Sequence, residues 1–488
     1  AVVAGGLSVH ALTGSVVLDG SGNDIGKLSA RLEGEGESLT VRSRAGLAVD
    51  TVNGVAGIVT QNGAVNLTAS GDVDSTSGDL SMVQAINAGT ATVELVSGQG
   101  AVTQSGSGRV LAAALGVEAR KASSLAGANE VATLAAEVQD AGEQFVFVNA
   151  KGLTVGTVGA RSGVVTEGGN IALRTTSTDA AEHLLLEQAV STGSTAAGIV
   201  NLQSVGGMVS ASAVAGTVTG ASLAVRAVGG VDLAQANDVG TLAAVATAGD
   251  VVFNDISGLA IGTVGDLSGL SAIGNTLDLR AGGPMTQTAG NLTAARLAVE
   301  AAGNVSLLST GNRVATVAAE VSGGDFRYRD AGAVTIGTVA RSAAASLSGI
   351  DADGAIWMRT GTDITLAAPV EARASGDQAL VLAATRTFTN QAGSVALSAP
   401  NGRWLVYDDN PLLVDRFDGL QYAFRRLRTL YDNYPPAGVA ERGNGYITTA
   451  VLLDPDQAVR QPGGSTVSGG EPLNTTTSIA IPGERSAM

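Results

Sequence analysis

The sequence predicts an all-β protein, a parallel β-solenoid closed by an aromatic-rich cap. Three observations predict it. Short apolar segments recur at a beat of about 20 residues, nested in a longer repeat of about 106. Glycine accounts for 67 of 488 residues and proline for only 10, with eight of the ten at Pro400 or later. No helical period is sustained for even three turns before position 400.

The longer repeat carries three signatures in a fixed order. The first is Asn with aliphatic residues at +2 and +5. It occurs at Asn23-Asp24-Ile25, Asn129-Glu130-Val131, Asn237-Asp238-Val239 and Asn312-Arg313-Val314. The second follows one beat later as Gly46-Leu47-Ala48-Val49, Gly152-Leu153-Thr154-Val155, Gly258-Leu259-Ala260-Ile261 and Gly332-Ala333-Val334-Thr335-Ile336. A Thr-Val pair closes each copy. The third includes Val65-Asn66-Leu67, Ile171-Ala172-Leu173, Leu277-Asp278-Leu279 and Ile356-Trp357-Met358. Val65-Asn66-Leu67-Thr68-Ala69 alternates with period two, as a half-buried strand does. Glycines and Asn-Gly pairs between such segments mark tight turns.

One coil of this kind cannot cover its own apolar side. A second coil stacked about 4.8 Å above pairs the backbone groups and buries the column. Val, Leu, Ile and Ala suit a narrow interior, which accounts for only 3% aromatic residues. Residues 1–400 then form about 20 coils and a rod of about 95 Å. Recurrent asparagines at equivalent turns are expected to stack as amide ladders.

The composition changes near residue 400. Eight of the fifteen aromatic residues fall between Trp404 and Tyr446. Leu420, Phe424, Leu427 and Tyr431 share a helical face, so a short amphipathic helix is expected over 415–434, stopped by Pro435-Pro436. The chain divides into solenoid repeats over 1–400, a cap over 401–453, and an extended Gly/Ser/Pro/Thr-rich tail over 454–488.

These repeats, together with Pro400-Asn401-Gly402-Arg403-Trp404-Leu405-Val406-Tyr407, Asn410-Pro411 and Gly443-Asn444-Gly445-Tyr446-Ile447, resemble the carboxy-proximal repeat region of filamentous haemagglutinin-type exoproteins of two-partner secretion. The resemblance covers residues 20–450. It implies a right-handed parallel β-helix, an outer-membrane secretion partner, and a secreted or cell-surface place on a Gram-negative bacterium. Adhesive or biofilm-scaffold work goes with that. It brings no catalytic constellation.

Composition narrows the chemistry. The chain has no cysteine, two histidines and a net charge of −16, with three lysines at Lys27, Lys121 and Lys151. Disulfides and thiolate metal sites are excluded. An acidic chain without a basic stripe is a poor ligand for nucleic acid. No run of about 18 apolar residues marks a membrane-spanning helix. The carboxylate pairs Asp408-Asp409 and Asp351/Asp353 read as solvated turns rather than as a glycosidase pair. His10 and His183 read as isolated turn residues. Gly20-Ser21-Gly22-Asn23-Asp24 and Gly323-Gly324-Asp325 are single weak calcium-like matches, and Gly168-Gly169-Asn170 is a corner. Arg425-Arg426-Leu427-Arg428 reads as a helix face compensated by Asp415, Asp418 and Asp432. No cofactor, metal ligand or catalytic residue is assigned.

The expected role is structural and non-enzymatic: a rigid subunit of a surface filament or biofilm scaffold with head-to-tail contacts. A monomeric adhesin rod binding a surface glycan or protein is the alternative, and a polysaccharide-degrading β-helix enzyme a third. Self-association into a homopolymer assigns Ala1, Val2, Val3, Ile479, Ile481, Trp404, Tyr407 and Tyr446 to a subunit interface. The terminal aromatics Trp404, Tyr407, Tyr422, Phe424, Tyr431, Tyr434 and Tyr446 are read first as the core of the cap, then as a subunit contact, which aromatic residues favour, and last as a sugar-stacking site. The tail strand Thr475-Thr476-Thr477-Ser478-Ile479-Ala480-Ile481 would add to a neighbour's open edge near residues 1–20. Ala1 is read as the start of a processed or cut chain.

Overall fold

A computed structural model describes residues 1–71, 78–193, 197–342, 344–409 and 417–450. These residues wind into a parallel β-solenoid of about 19 turns. Three strands make up a coil. Ile58–Gln61, Val65–Ala69 and Leu80–Met82 form one, with Ile86–Asn87, Thr92–Ser97 and Val102–Gln104 stacked above. Val225 stacks on Ala244 and Leu173 on Leu202, so the shortest coils keep the expected beat and others run half as long again. The extra residues lie at the corners or in hairpins that interrupt a strand. At about 4.8 Å per turn, 19 turns give a shaft of about 90 Å.

Alternation decides what is inside. In Val65–Ala69, Val65, Leu67 and Ala69 are buried while Asn66 and Thr68 are half-buried outside. Identical alternation in each rung builds one continuous apolar column from Ile25 to Tyr446. Large rings enter it sparingly, as Phe145 and Phe147, Phe326 and Tyr328, and Phe388.

Strand stacking continues beyond residue 400. Gly402–Asp408 lies on Gly376–Ala384 and carries Gly445–Thr448, which in turn pairs with Phe424–Arg426. The helix expected over 415–434 is absent in the described part, and Asp415 lies outside the described residues. Leu420 drops into the core, Phe424–Arg426 is a strand, and Tyr431–Asn433 is one 3₁₀ turn before the prolines. Pairing with Gly445–Thr448 satisfies the backbone here, so a helical period that serves packing need not be helical. Ile479, Ile481 and the rest of the tail lie outside the described residues.

Candidate functional site: corners and docked hairpins

The first signature is a corner that binds backbone. Asn129 is buried, and its Oδ1 accepts from the Val110 N–H at 2.8 Å. Its Nδ2 donates to the carbonyls of Leu125 and Val148 at 3.0 and 2.9 Å. Asn237 does the same with Val218, Leu233 and Asn254. Asn312 does so with Leu292, Leu307 and Arg329, and Asn23 accepts from Val2. The expected amide ladder is not what forms. These asparagines sit several coils apart, and each side chain stands in for a missing stretch of backbone.

A second buried polar residue follows each of them. Ser43, Asn149, Asp255 and Asp330 accept from the N–H groups of Ile25, Val131, Val239 and Val314 at 2.9 to 3.1 Å. Asn149 also donates to the Val131 carbonyl at 2.9 Å, so one amide serves both backbone groups of that residue. Burial raises the pKa of the Asp255 and Asp330 carboxyls above the ordinary 3.8.

The second signature ends in a hairpin. Thr51–Val52 pairs antiparallel with Val55–Ala56, Thr157–Val158 with Arg161–Ser162, Thr263–Val264 with Leu267–Ser268, and Thr338–Val339 with Leu347–Ser348. Each interrupts a strand that is continuous in the coil beneath. Leu134 stacks under Val155 before the second hairpin and Ala136 under Val164 after it. Leu28 and Ala30, Leu242 and Ala244, and Val317 and Ala319 flank the others in the same way. A glycine closes every hairpin. The N–H groups of Gly57, Gly163, Gly269 and Gly349 donate across the neck to Asp50, Gly156, Gly262 and Gly337 at 2.8 to 3.1 Å. At Gly163 φ is +79°, and a Cβ there would run into the Ala189 carbonyl oxygen. Only glycine fits.

The hairpins lie flat on the shaft. Val264 and Leu267 pack on Ala224 and Ala243; Val339 and Leu347 pack on Ala298 and Ala318. Charges fasten them. Arg161 bridges Glu118 and Glu94, and Asp266 binds Arg226 at 2.6 Å. Arg341, 2% exposed, holds Asp278 at 2.9 Å and Glu300 at 2.8 Å.

At the amino-terminal end, the strands Leu7–Ala11 and Val16–Leu18 each pair along one side only among the described residues, and Val3 is 75% exposed. Ala1 is exposed and Val2 half-buried. Trp404, Tyr407 and Tyr446 are buried within the chain, as their reading as the core of the cap expects. Tyr446 meets Phe417 at a tilt with ring centroids 4.2 Å apart, and Tyr407 meets Tyr431 edge-on at 4.8 Å.

The carboxylate pairs separate. Asp408 is fully buried rather than solvated, and accepts from the Phe388 N–H at 3.3 Å. Asp351 and Asp353 share Arg373 with Glu371 on an exposed face. His10 binds Glu33 at 3.1 Å, and His183 Nδ1 accepts from Met208. Arg426 pairs with Glu441 while Asp432 binds Arg359, so the arginine cluster is not compensated in the expected way. A lateral cleft of about 390 Å³ includes Asp255, Arg280, Glu300 and Glu320. Asp255 is taken by backbone, Arg280 by Asp278 and Glu300 by Arg341. No group of three or more metal-ligating side chains gathers among the described residues. No described helix is long and apolar enough to cross a membrane.

Comparison with family models, curated proteins and solved structures finds no match for this chain.

Proposed function

We propose that the chain is a structural strut of an extracellular filament or biofilm scaffold, an exoprotein of the filamentous haemagglutinin type exported by an outer-membrane partner in a Gram-negative bacterium. One observation carries the reading. One apolar column runs through the described coils from Ile25 to Tyr446, and ion pairs between coils, such as Arg161 with Glu94 and Glu118, tie its outer face together. A shaft built to repeat one stiff rung suits a spacer. The order of the repeat and terminal motifs supports the family reading.

The filament version needs contacts between copies. Strands that pair along one side only are open to another chain, and head-to-tail contacts that do not close give fibres. Imaging the chain before and after removal of residues 465–488 tests tail-mediated assembly. The expected result is fibres that shorten to single rods; long fibres after truncation overturn it. Monodisperse single rods of the intact chain by light scattering would favour the monomeric adhesin.

A further inference from the structure

We infer that the four hairpins are clips that divide the shaft into mechanical blocks, so that it yields to axial pulling one repeat at a time. The inference rests on the hairpin geometry and not on the proposed role as a surface strut. In a plain solenoid each coil touches only its neighbours, so a pulled end peels coil by coil. The hairpins break that rule. Ala243 lies one coil beneath the third hairpin and Ala224 two beneath, and Val264 and Leu267 cover both. Arg161 reaches Glu118 two coils down and Glu94 three down. Arg341 reaches Glu300 and Asp278 in the same way.

The clips fall at regular stations. The hairpins begin at Thr51, Thr157, Thr263 and Thr338, so the first two intervals are equal and the third is shorter by about three tenths. They open from more than one strand column. The column Ala30–Ile58–Ile86–Val110 carries the first hairpin, and the separate column Leu39–Val65–Val93–Leu115–Leu134 carries the second. Phe147–Leu173–Leu202–Val225–Ala244 carries the third. The column of the second continues through Val155, Leu186, Leu233, Phe253, Leu279 and Val299 to Ala319 and carries the fourth. The clips therefore fasten more than one side of the shaft.

Stretching the full chain in an optical trap, with handles at both ends, tests this. At up to about 3.6 Å per extended residue, less about 20 Å of shaft, blocks release about 350, 350 and 250 Å. Coil-by-coil peeling would release about 60–100 Å at a time. Removal of residues 263–269 joins Gly262 to Leu270. Ile261-Gly262-Leu270 then lies in register over Leu242-Ala243-Ala244. In that variant the increments on either side of the third hairpin are expected to fuse into one of about 575 Å. The double variant Val264→Ser/Leu267→Ser keeps chain length, loosens the same clip and should fuse the same pair. Single-coil steps in the unaltered chain, or two separate increments in both variants, would overturn the inference.

Discussion

A buried asparagine at a solenoid corner has to match several backbone groups at once, and Asn237 does so with four partners. Each buried group left unpaired costs about 1–3 kcal/mol. Asn237→Ala is therefore expected to lower local stability by about 3 kcal/mol, read as faster amide exchange around Val218. Unchanged exchange there would refute the corner role. Asp255 makes a second case, because its carboxyl is raised by burial. A folded pKa above the unfolded one means that the folded state holds the proton more tightly. Stability from this group is present below the ordinary carboxylate value and is lost as pH rises through the folded value. The melting-temperature difference between the parent and Asp255→Asn should shift against the parent as pH rises from about 3.8 upward. A difference independent of pH would contradict the burial argument. The asparagines were legible as a recurring mark in the sequence. Their partners were not, because the carbonyls of Leu233 and Asn254 meet Asn237 only after the coil closes.

At the scale of elements, the hairpins are what period-two reasoning missed. Ala243 and Ala224 stand on the outer side of their strands, where alternation predicts exposure, yet a hairpin from a later coil buries them. A usable signal was present: a glycine before the next aliphatic, at Gly57-Ile58, Gly163-Val164, Gly269-Leu270 and Gly349-Ile350. Gly163→Ala must adopt φ near +79° against the Ala189 carbonyl and should cost well over about 1 kcal/mol, measured by chemical denaturation. The Asp278–Arg341 pair gives a sharper test. Both side chains are nearly fully buried, so Arg341→Met leaves Asp278 to Arg280 alone and should cost about 3 kcal/mol. Adding Asp278→Leu and Arg280→Met removes the whole buried cluster and should recover most of that loss. A triple variant as unstable as the single one would show that the arginine acts by shape rather than charge. The expected helix failed for a related reason. Leu420, Phe424 and Tyr431 do face inward, but Phe424 by strand pairing with Gly445–Thr448 and Tyr431 from a 3₁₀ turn.

For the whole molecule, the class of fold was legible because every coil must solve one problem with one pattern. The alternation of Val65–Ala69 and its stacking on Leu39–Ser43 follow from the same side chains. Coil length was less legible, since corners absorb extra residues without disturbing the register of Leu173 and Leu202. Trp404, Tyr407 and Tyr446 were legible as the core of the cap, because large rings near an end serve the core first. A single cryo-electron microscopy map of the chain tests the stacked-coil architecture most directly. The account predicts a shaft of about 90 Å with rungs every ~4.8 Å and small ridges at four stations, the second and fourth on the same side. Rounded lobes without that rung spacing would contradict it.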